Sequence, residues 1–417
     1  MIPVLTLLQM ALISILTTFL NPLFWIVMLL VYIQYKRIHS MEIQILGEQR
    51  RSLKDKMVNA FITGMVGGII GTIIIMLLGI TIETRDFKFI LPLAILLMLI
   101  NVRYICFSYA GGLLALASLI FGAPKLNVSS ILAIVAVLHL IESVLIWTDG
   151  DKDAVPIFME NKKYGVVGGF MLQRFWPIPF AILLFMLGPL EGAREINLPE
   201  WWPLFKADKA GIDIKNISLQ MAAVVAALGY GDMALSSIPK EKCRKSAKRL
   251  FVYSVALLLL SVISIKLYIF KFLAAFFAPV AHELLIIYGQ KEEERCHPIF
   301  RHHRSGVTVL DIQEGLPGQI MGIEQGDVIL KINNRFVNSK EEMQEILNQY
   351  PPYIWVDIVN LKGDRKTLEY KNYRSGIKSL GIIVVPKTPE VIFDTKTSVS
   401  MIKNLFDKGK HKKHKTM

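Results

Sequence analysis

The sequence predicts a polytopic α-helical membrane domain of about 8–10 segments followed by a small α+β domain. Three observations carry that prediction. The 417-residue chain is 53% hydrophobic and only 19% charged, with a mean hydropathy of +0.46, outside the range of soluble domains. Apolar stretches near the length needed to span a bilayer follow one another up to residue 290. From Ser305 the composition becomes that of a globular domain. The expected division is a multi-span domain over 1–290, a linker over 291–304, a globular domain over 305–386 and a basic flexible tail over 387–417.

The candidate segments are 3–20, 22–35, 57–80, 89–103, 104–121, 128–147, 173–190, 216–235, 250–268 and 271–288. Asn21-Pro22 between the first two predicts a kinked or re-entrant element. Gly64, Gly67, Gly68 and Gly71 put small residues at three- and four-residue spacing, which allows close helix contact. Lys266 and Lys271 mark the reversal between the last two segments. The three cysteines, Cys106, Cys243 and Cys296, are too few and scattered for a disulfide framework. The N-terminus is apolar from Ile2 and reads as a first membrane segment, not a cleavable signal.

Orientation follows from lysine and arginine bias. The loop 36–56 holds Lys36, Arg37, Arg50, Arg51, Lys54 and Lys56, and the loop 240–249 holds Lys240, Lys242, Arg244, Lys245, Lys248 and Arg249. Both are expected in the cytoplasm, with six candidate spans between them. The loop 191–213, carrying Trp201-Trp202, then falls on the outer face, and Arg174 is expected to snorkel to the inner interface. The tail "KGKHKKHKTM" favours an anionic inner leaflet. The net charge of +13 is accounted for in this way, without nucleic acid.

The stretch 305–349 reads as strand, turn, short helix, strand, strand, helix. Gly326-Asp327 turns into the alternating "VILKIN", and Ser339 with Glu342 forms a capping box opening a helix over 340–349. A hairpin turning at Lys362-Gly363-Asp364 and a last strand, "SLGIIVVP", complete the domain. The signature "GxxxGDVILKINxxxVxSxEE" resembles the bacterial PDZ domains of HtrA and site-2 proteases. The resemblance implies an extended peptide added as a strand beside a helix, its carboxylate held by a loop matched here by Leu380, Gly381, Ile382 and Ile383. That loop stands at the end of the domain, which implies a circularly permuted arrangement.

Within the membrane domain, "GYGD" at 229–232 matches the end of a potassium-channel filter. The preceding "MAAVVAAL" lacks the threonine such a filter needs, and no pore helix precedes it. What remains is an ionisable residue, Asp232, near the end of a predicted membrane helix. His139 and Glu142 share a face of segment 128–147, and His282-Glu283 follow Pro279 in segment 271–288. Glu142, Asp232 and His282 lie about 8, 10 and 9 Å from the inner ends of their segments at 1.5 Å per residue. His139, Glu142, Asp232, His282 and Glu283 are therefore expected to form one intramembrane polar cluster. Two histidines with carboxylates suit zinc, but no four-ligand motif is visible. A packing network is preferred, and neither metal nor cofactor is assigned. The cluster "CHPIFRHHR" at 296–304 reads as a solvated linker.

No catalytic residue is assigned. A site-2 metalloprotease needs His-Glu-x-x-His, whereas the chain has His282-Glu283-Leu284-Leu285-Ile286. Its distant Asn-x-x-Pro-Asp-Gly motif is missing, and there is no Gly-x-Ser-x-Gly elbow. A degenerate member of that protease class is the alternative reading. In order, "FLNPLFW", "GYGD…SSIPKEKCRKSAKRLFVYS", the terminal His-Glu helix and the PDZ domain resemble the MinJ-type division-site proteins of Gram-positive bacteria. The resemblance implies a non-enzymatic scaffold linking a polar DivIVA-like protein to the MinC/MinD inhibitor of the FtsZ ring. It implies a multi-pass protein of the bacterial cell membrane, enriched at septum or poles, with PDZ and C-terminus cytoplasmic. Partners would be DivIVA-like and MinD-like proteins and anionic lipid, with homo-oligomers open.

Overall fold

A computed structural model describes residues 4–47, 49–83, 106–161, 163–187, 201–205, 217–303 and 305–387, with scattered positions between 89 and 104. The candidate segment 89–103 and the loop 191–213 lie largely outside the described residues, and the tail from 388 lies wholly outside them. The chain opens with α1 (Val4–Thr18), α2 (Pro22–Leu46) and α3 (Leu53–Leu78). The first two meet at a 64° bend. Asn21 accepts a hydrogen bond from the Leu23 N–H, and Pro22 opens α2, so the dipeptide both caps and turns the chain. After β1 (Thr81–Ile82) come α4 (Phe107–Phe121) and α5 (Val128–Asp149). Three strands follow: β2 (Val155–Asn161), β3 (Gly165–Leu187) and β4 (Ile217–Ala234). The domain ends with α6 (Pro239–Lys266) and α7 (Ile269–Arg295). Among the described residues, four helices (α3, α5, α6 and α7) are long and apolar enough to cross a membrane, or five spans with the bent α1–α2 pair as one.

Segments 173–190 and 216–235 are corrected by the structure: they form a long antiparallel hairpin, not helices, with β3 and β4 paired from Phe170↔Ala234 to Leu187↔Ile217. The reason is in the residues. Pro177 and Pro179 would each remove a hydrogen bond and clash inside a helix. Two residues apart on a strand, they face the same edge.

That edge explains how a sheet survives inside an apolar bundle, where unpaired backbone groups are costly. β3 pairs with β2 as far as Met171 and with β1 from Leu183. Between these points, on the edge opposite β4, helices α2 and α3 replace a strand. The Tyr35 hydroxyl accepts from the Phe175 N–H at 3.3 Å and donates to the Phe175 carbonyl at 3.2 Å. Pro177 and Pro179 have no N–H to satisfy. The Ala181 N–H donates to Thr72 Oγ1 at 2.9 Å. Gly64 and Gly68 let α3 lie directly on the proline carbonyls: a Cβ on them would stand 2.1 Å from the Pro177 oxygen and 2.0 Å from the Pro179 oxygen. The match is metric. Four helical residues rise about 6 Å and two strand residues about 6.6 Å, so Gly64, Gly68 and Thr72 step in register with Pro177, Pro179 and Ala181. Gly67 and Gly71 serve the other face, where Ile141 and Leu145 of α5 press against them. The expected helix contact thus uses half of the glycines, and the strand uses the rest.

One end of the domain gathers buried charge. Arg174 does not snorkel: it is wholly buried, ion-paired to Asp149 and, at 2.8 Å, to Asp153. Asp149 also accepts from Trp176 Nε1 at 2.8 Å and Asn59 Nδ2 at 2.9 Å. Lys56 and Glu42 form a second buried pair. At the other end of α3, Trp202 is buried and its indole N–H donates to the Met76 carbonyl at 3.0 Å, while Trp201 is exposed.

The globular domain comprises β5 (Val307–Ile312), α8 (Pro317–Met321), β6 (Val328–Ile332), β7 (Arg335–Phe336), α9 (Lys340–Leu347), β8 (Tyr353–Val359), β9 (Arg365–Lys371) and β10 (Ile382–Val384). The sheet order is β10-β5-β6-β8-β9, so the last strand pairs antiparallel with the first. The Ser339 cap is present, its Oγ accepting from the Glu342 N–H, while the Glu342 carboxylate reaches one residue beyond the cap and accepts from the Asn338 N–H. Gly363 turns the β8–β9 hairpin at φ +90. A core of Val309, Ile329, Ile332, Val337, Ile354 and Val356 is fully buried.

Two substitutions test the α3–β3 contact. Gly68→Val is expected to destabilise the detergent-solubilised protein by more than about 3 kcal/mol, the upper range for overpacking, because backbone must move. Thr72→Val, which strands the Ala181 N–H, costs about 1–3 kcal/mol. Gly231→Ala, with open space around its Cβ position, leaves the thermal midpoint unchanged. Thermal denaturation followed by size-exclusion chromatography reads all three.

Candidate functional site

The globular domain fixes the first candidate. Leu380 and Gly381 are buried, and Ile382 and Ile383 half-buried. Gly381 adopts φ +67, with Leu316 packed where its Cβ would be, so a glycine is required there. Its carbonyl accepts from the Gln313 N–H at 2.7 Å, and its own N–H donates to Ser379 Oγ at 3.0 Å. In the register Ile383↔Asp311, antiparallel alternation turns the main-chain groups of Ile382 towards the free edge of β10. That edge has no strand neighbour among the described residues. It offers what an added peptide strand needs.

The predicted linker is corrected: it is a strap. Phe300 is fully buried against Phe170, ring centroids 5.4 Å apart. Its carbonyl accepts from the Gly168 N–H at 2.7 Å, Val167 bridges Arg301, and the Ile299 N–H donates to the Leu235 carbonyl. His302 Nε2 meets the Pro386 carbonyl at 2.7 Å. Leu310 and Val385 of the globular domain close over Gly168, whose Cβ would lie 2.9 Å and 3.1 Å from them. Arg50 reaches across to Asp311 at 2.5 Å, and Arg51 to Glu314 at 3.7 Å. Burial pushes the Asp311 carboxyl above its ordinary range, against the pull of Arg50 and of Gln325.

The second candidate is the polar cluster, of which the structure assembles part. His139 on α5 and His282 on α7 stand with ring centroids 5.1 Å apart. The helices run on past the predicted ends, so His139 lies about 15 Å before Asp149 and His282 about 16 Å before Glu293. Both histidines thus stand near the middle of their helices, farther from the helix ends than the sequence suggested. Cys106, the N-cap of α4, joins them: its Sγ is 3.0 Å from His139 Nε2 and 3.7 Å from His282 Nε2. His139 Nδ1 is held by the Val135 carbonyl at 2.7 Å. Tyr109 bridges His282 Nδ1 and Glu283. Ser108 and Tyr253 hydrogen-bond to each other and to the Ala278 carbonyl. Glu142 stands one turn beyond His139 on α5, within electrostatic reach of Cys106.

Asp232 has other company. It lies in β4, not on a helix, and its carboxylate takes Ser246 Oγ at 3.0 Å, Tyr230 Oη at 3.3 Å and Lys242 Nζ at 3.5 Å. Lys242 also pairs with Glu293 at 3.2 Å, and Glu293 accepts from the Leu235 and Ser236 N–H groups at 2.9 Å. Asp232 therefore belongs to the junction that ties the hairpin to α6 and α7. Cys106, Tyr109 and Tyr253 were not singled out from sequence. Cys106 sits at the junction of two candidate segments, and its only local signal is a position two residues before a serine N–H that it caps.

One comparison bears directly on the globular domain. A family model described as a PDZ domain matches residues 299–354. The chain is 24% identical over 231 residues to the cell division topological determinant MinJ of Bacillus subtilis (strain 168), covering 55% of each protein. It thus spans about half the length of the curated relative it matches. The PDZ domain of the SdrC-like protein from Listeria monocytogenes is 15% identical, covering 20% of this chain and 93% of that one, with a TM-score of 0.17.

The buried Asp311 sets a pH expectation. Its folded pKa is raised, so the ionised form is disfavoured on folding. Its unfavourable contribution is absent below the ordinary carboxylate pKa near 4 and grows as pH rises through the raised value. At pH 7, Arg50→Ala leaves an unpaired buried carboxylate and is expected to cost about 3 kcal/mol, partly recovered on acidification. Asp311→Asn removes that pH dependence and costs less. Thermal midpoints of both variants between pH 5 and 8 check the order.

Proposed function

We propose that the protein is a non-enzymatic membrane scaffold whose PDZ domain captures an extended peptide of a cell-division protein. The observation that carries this reading is the free β10 edge, beside the Leu380–Ile383 loop, on a module held against the membrane domain. The similarity to a cell division topological determinant supplies the process. On this reading the PDZ domain is circularly permuted, the carboxylate loop lying at its C-terminal end, and Ser379 yields the Gly381 N–H when a carboxylate arrives.

The proposed compartment is the cytoplasm. Arg50 and Arg51 contact the PDZ domain, and Lys242 and Arg249 pair with Glu293 and Glu292 at the foot of the strap. The two lysine- and arginine-rich segments and the module therefore share one side, which the positive-inside bias assigns to the cytoplasm. Anionic lipid is the proposed partner of the exposed basic residues. The proposed protein partners are DivIVA-like and MinD-like, with enrichment at septum or poles. Confinement to the membrane raises effective concentration, so weak peptide contacts suffice.

Deleting 305–386 is expected to leave membrane insertion intact and abolish capture of at least one division protein in crosslinked cell extracts. Ile382→Pro, which removes an edge N–H without truncation, should weaken the same capture by about tenfold, or about 1.4 kcal/mol. Undiminished capture of every partner by both variants refutes the peptide-capture reading.

A further inference from the structure

We infer that Cys106, His139 and His282 form a metal site for zinc(II) at the centre of the membrane domain. One ligand atom from each of the three lies within 4.8 Å of the others. In a tetrahedral site with bonds of 2.3 Å to sulfur and 2.0 Å to nitrogen, S···N separations are about 3.5 Å. The two observed separations, 3.0 and 3.7 Å, bracket that value, so side-chain adjustment of a few tenths of an ångström admits the ion.

The surroundings are those of a metal site in three further respects. The Val135 carbonyl at 2.7 Å from His139 Nδ1 holds the proton on that nitrogen and leaves the Nε2 lone pair facing Cys106. Outer-sphere carbonyls orient metal-binding imidazoles in this way. His282 Nδ1 is met by the Tyr109 hydroxyl at 3.4 Å, which in turn donates to Glu283. The third respect concerns Cys106. It caps the start of α4 and accepts from the Ser108 N–H, which holds its sulfur facing the two imidazoles. Gly111 packs on Ile131 and Val135, so α4 runs from the His139 level towards the end of the bundle away from the PDZ domain. A helix terminus inside an apolar bundle is tolerated where it faces a built site.

A thiol and two imidazoles form a borderline-soft set suited to zinc. Binding expels the Cys106 proton to solvent, leaving the thiolate to offset part of the charge of the dication. The ion would pin α4, α5 and α7 together, so the assignment is structural and independent of the scaffold reading.

The test uses full-length protein purified through a tag without histidine. Wild type is expected to retain about one zinc per chain by elemental analysis. After stripping, cobalt(II) should give a thiolate-to-cobalt charge-transfer band. Cys106→Ser removes the band, and His139→Gln lowers zinc affinity, measured against a chromophoric chelator. Tyr109→Phe should weaken affinity by about 10-fold, the lower range for an outer-sphere partner. A variant lacking His297, His302 and His303 keeps the full equivalent. Chelation should lower the thermal midpoint of wild type but not of Cys106→Ser. Wild-type protein with no zinc and no cobalt band, or metal lost only with the strap histidines, overturns the site.

Discussion

A strand inside an apolar bundle must hide its backbone, and the membrane domain is arranged around that requirement. Over 175–181 the β3 edge opposite β4 is covered by helices, and each odd position has its own solution. Tyr35 answers Phe175, imino rings answer 177 and 179, and Thr72 answers Ala181. The glycines of α3 follow from the same requirement, since only a helix without side chains on that face comes close enough for Thr72 to reach. Remove the glycines and the hydroxyl is too far away; remove the prolines and two donors go unanswered. The elements are therefore mutually necessary, which is what a funnelled sequence looks like locally.

The charged end of the domain obeys a related rule. Arg174, Asp149, Asp153, Lys56, Glu42, Lys242 and Glu293 are all buried or nearly so, and each has a partner of opposite charge. Unpaired, any of them would be costly; paired, they are close to neutral in stability and fix geometry instead. The pairs join elements far apart in sequence. Asp149 links α5 to β3, Lys242 links α6 to α7 and β4, and Arg50 links the α2–α3 turn to the PDZ domain.

The PDZ domain was legible in the sequence almost strand by strand, because period-two alternation, turn glycines and the Ser339–Glu342 box are local signals. The membrane helices were legible as hydropathy. The β3–β4 hairpin was not, since a strand buried on both faces and a spanning helix are equally apolar. The alternating prolines at 177 and 179 carried the distinction. The polar cluster was half legible. His139 and His282 stood out as ionisable residues in apolar helices, whereas Asp232 was grouped with them on the assumption of a helix. Cys106 gave no signal of its site, because its partners come from α5 and α7 and no spacing along the chain encodes them. Arg174 had the same difficulty: only the fold brings Asp149 and Asp153 to it.

The strap has a consequence for how the PDZ domain meets other molecules. Phe300 seated on Phe170, together with the Arg50–Asp311 pair, denies the module the swivelling freedom of a bead on a string. Its β10 edge keeps a constant bearing relative to the membrane domain. A visitor forfeits less rotational entropy when it docks on an anchored cradle than on a tumbling one, but only from the permitted direction of approach. On the peptide-capture reading, orientation thus becomes a filter, admitting tails only from the side that the β10 edge faces.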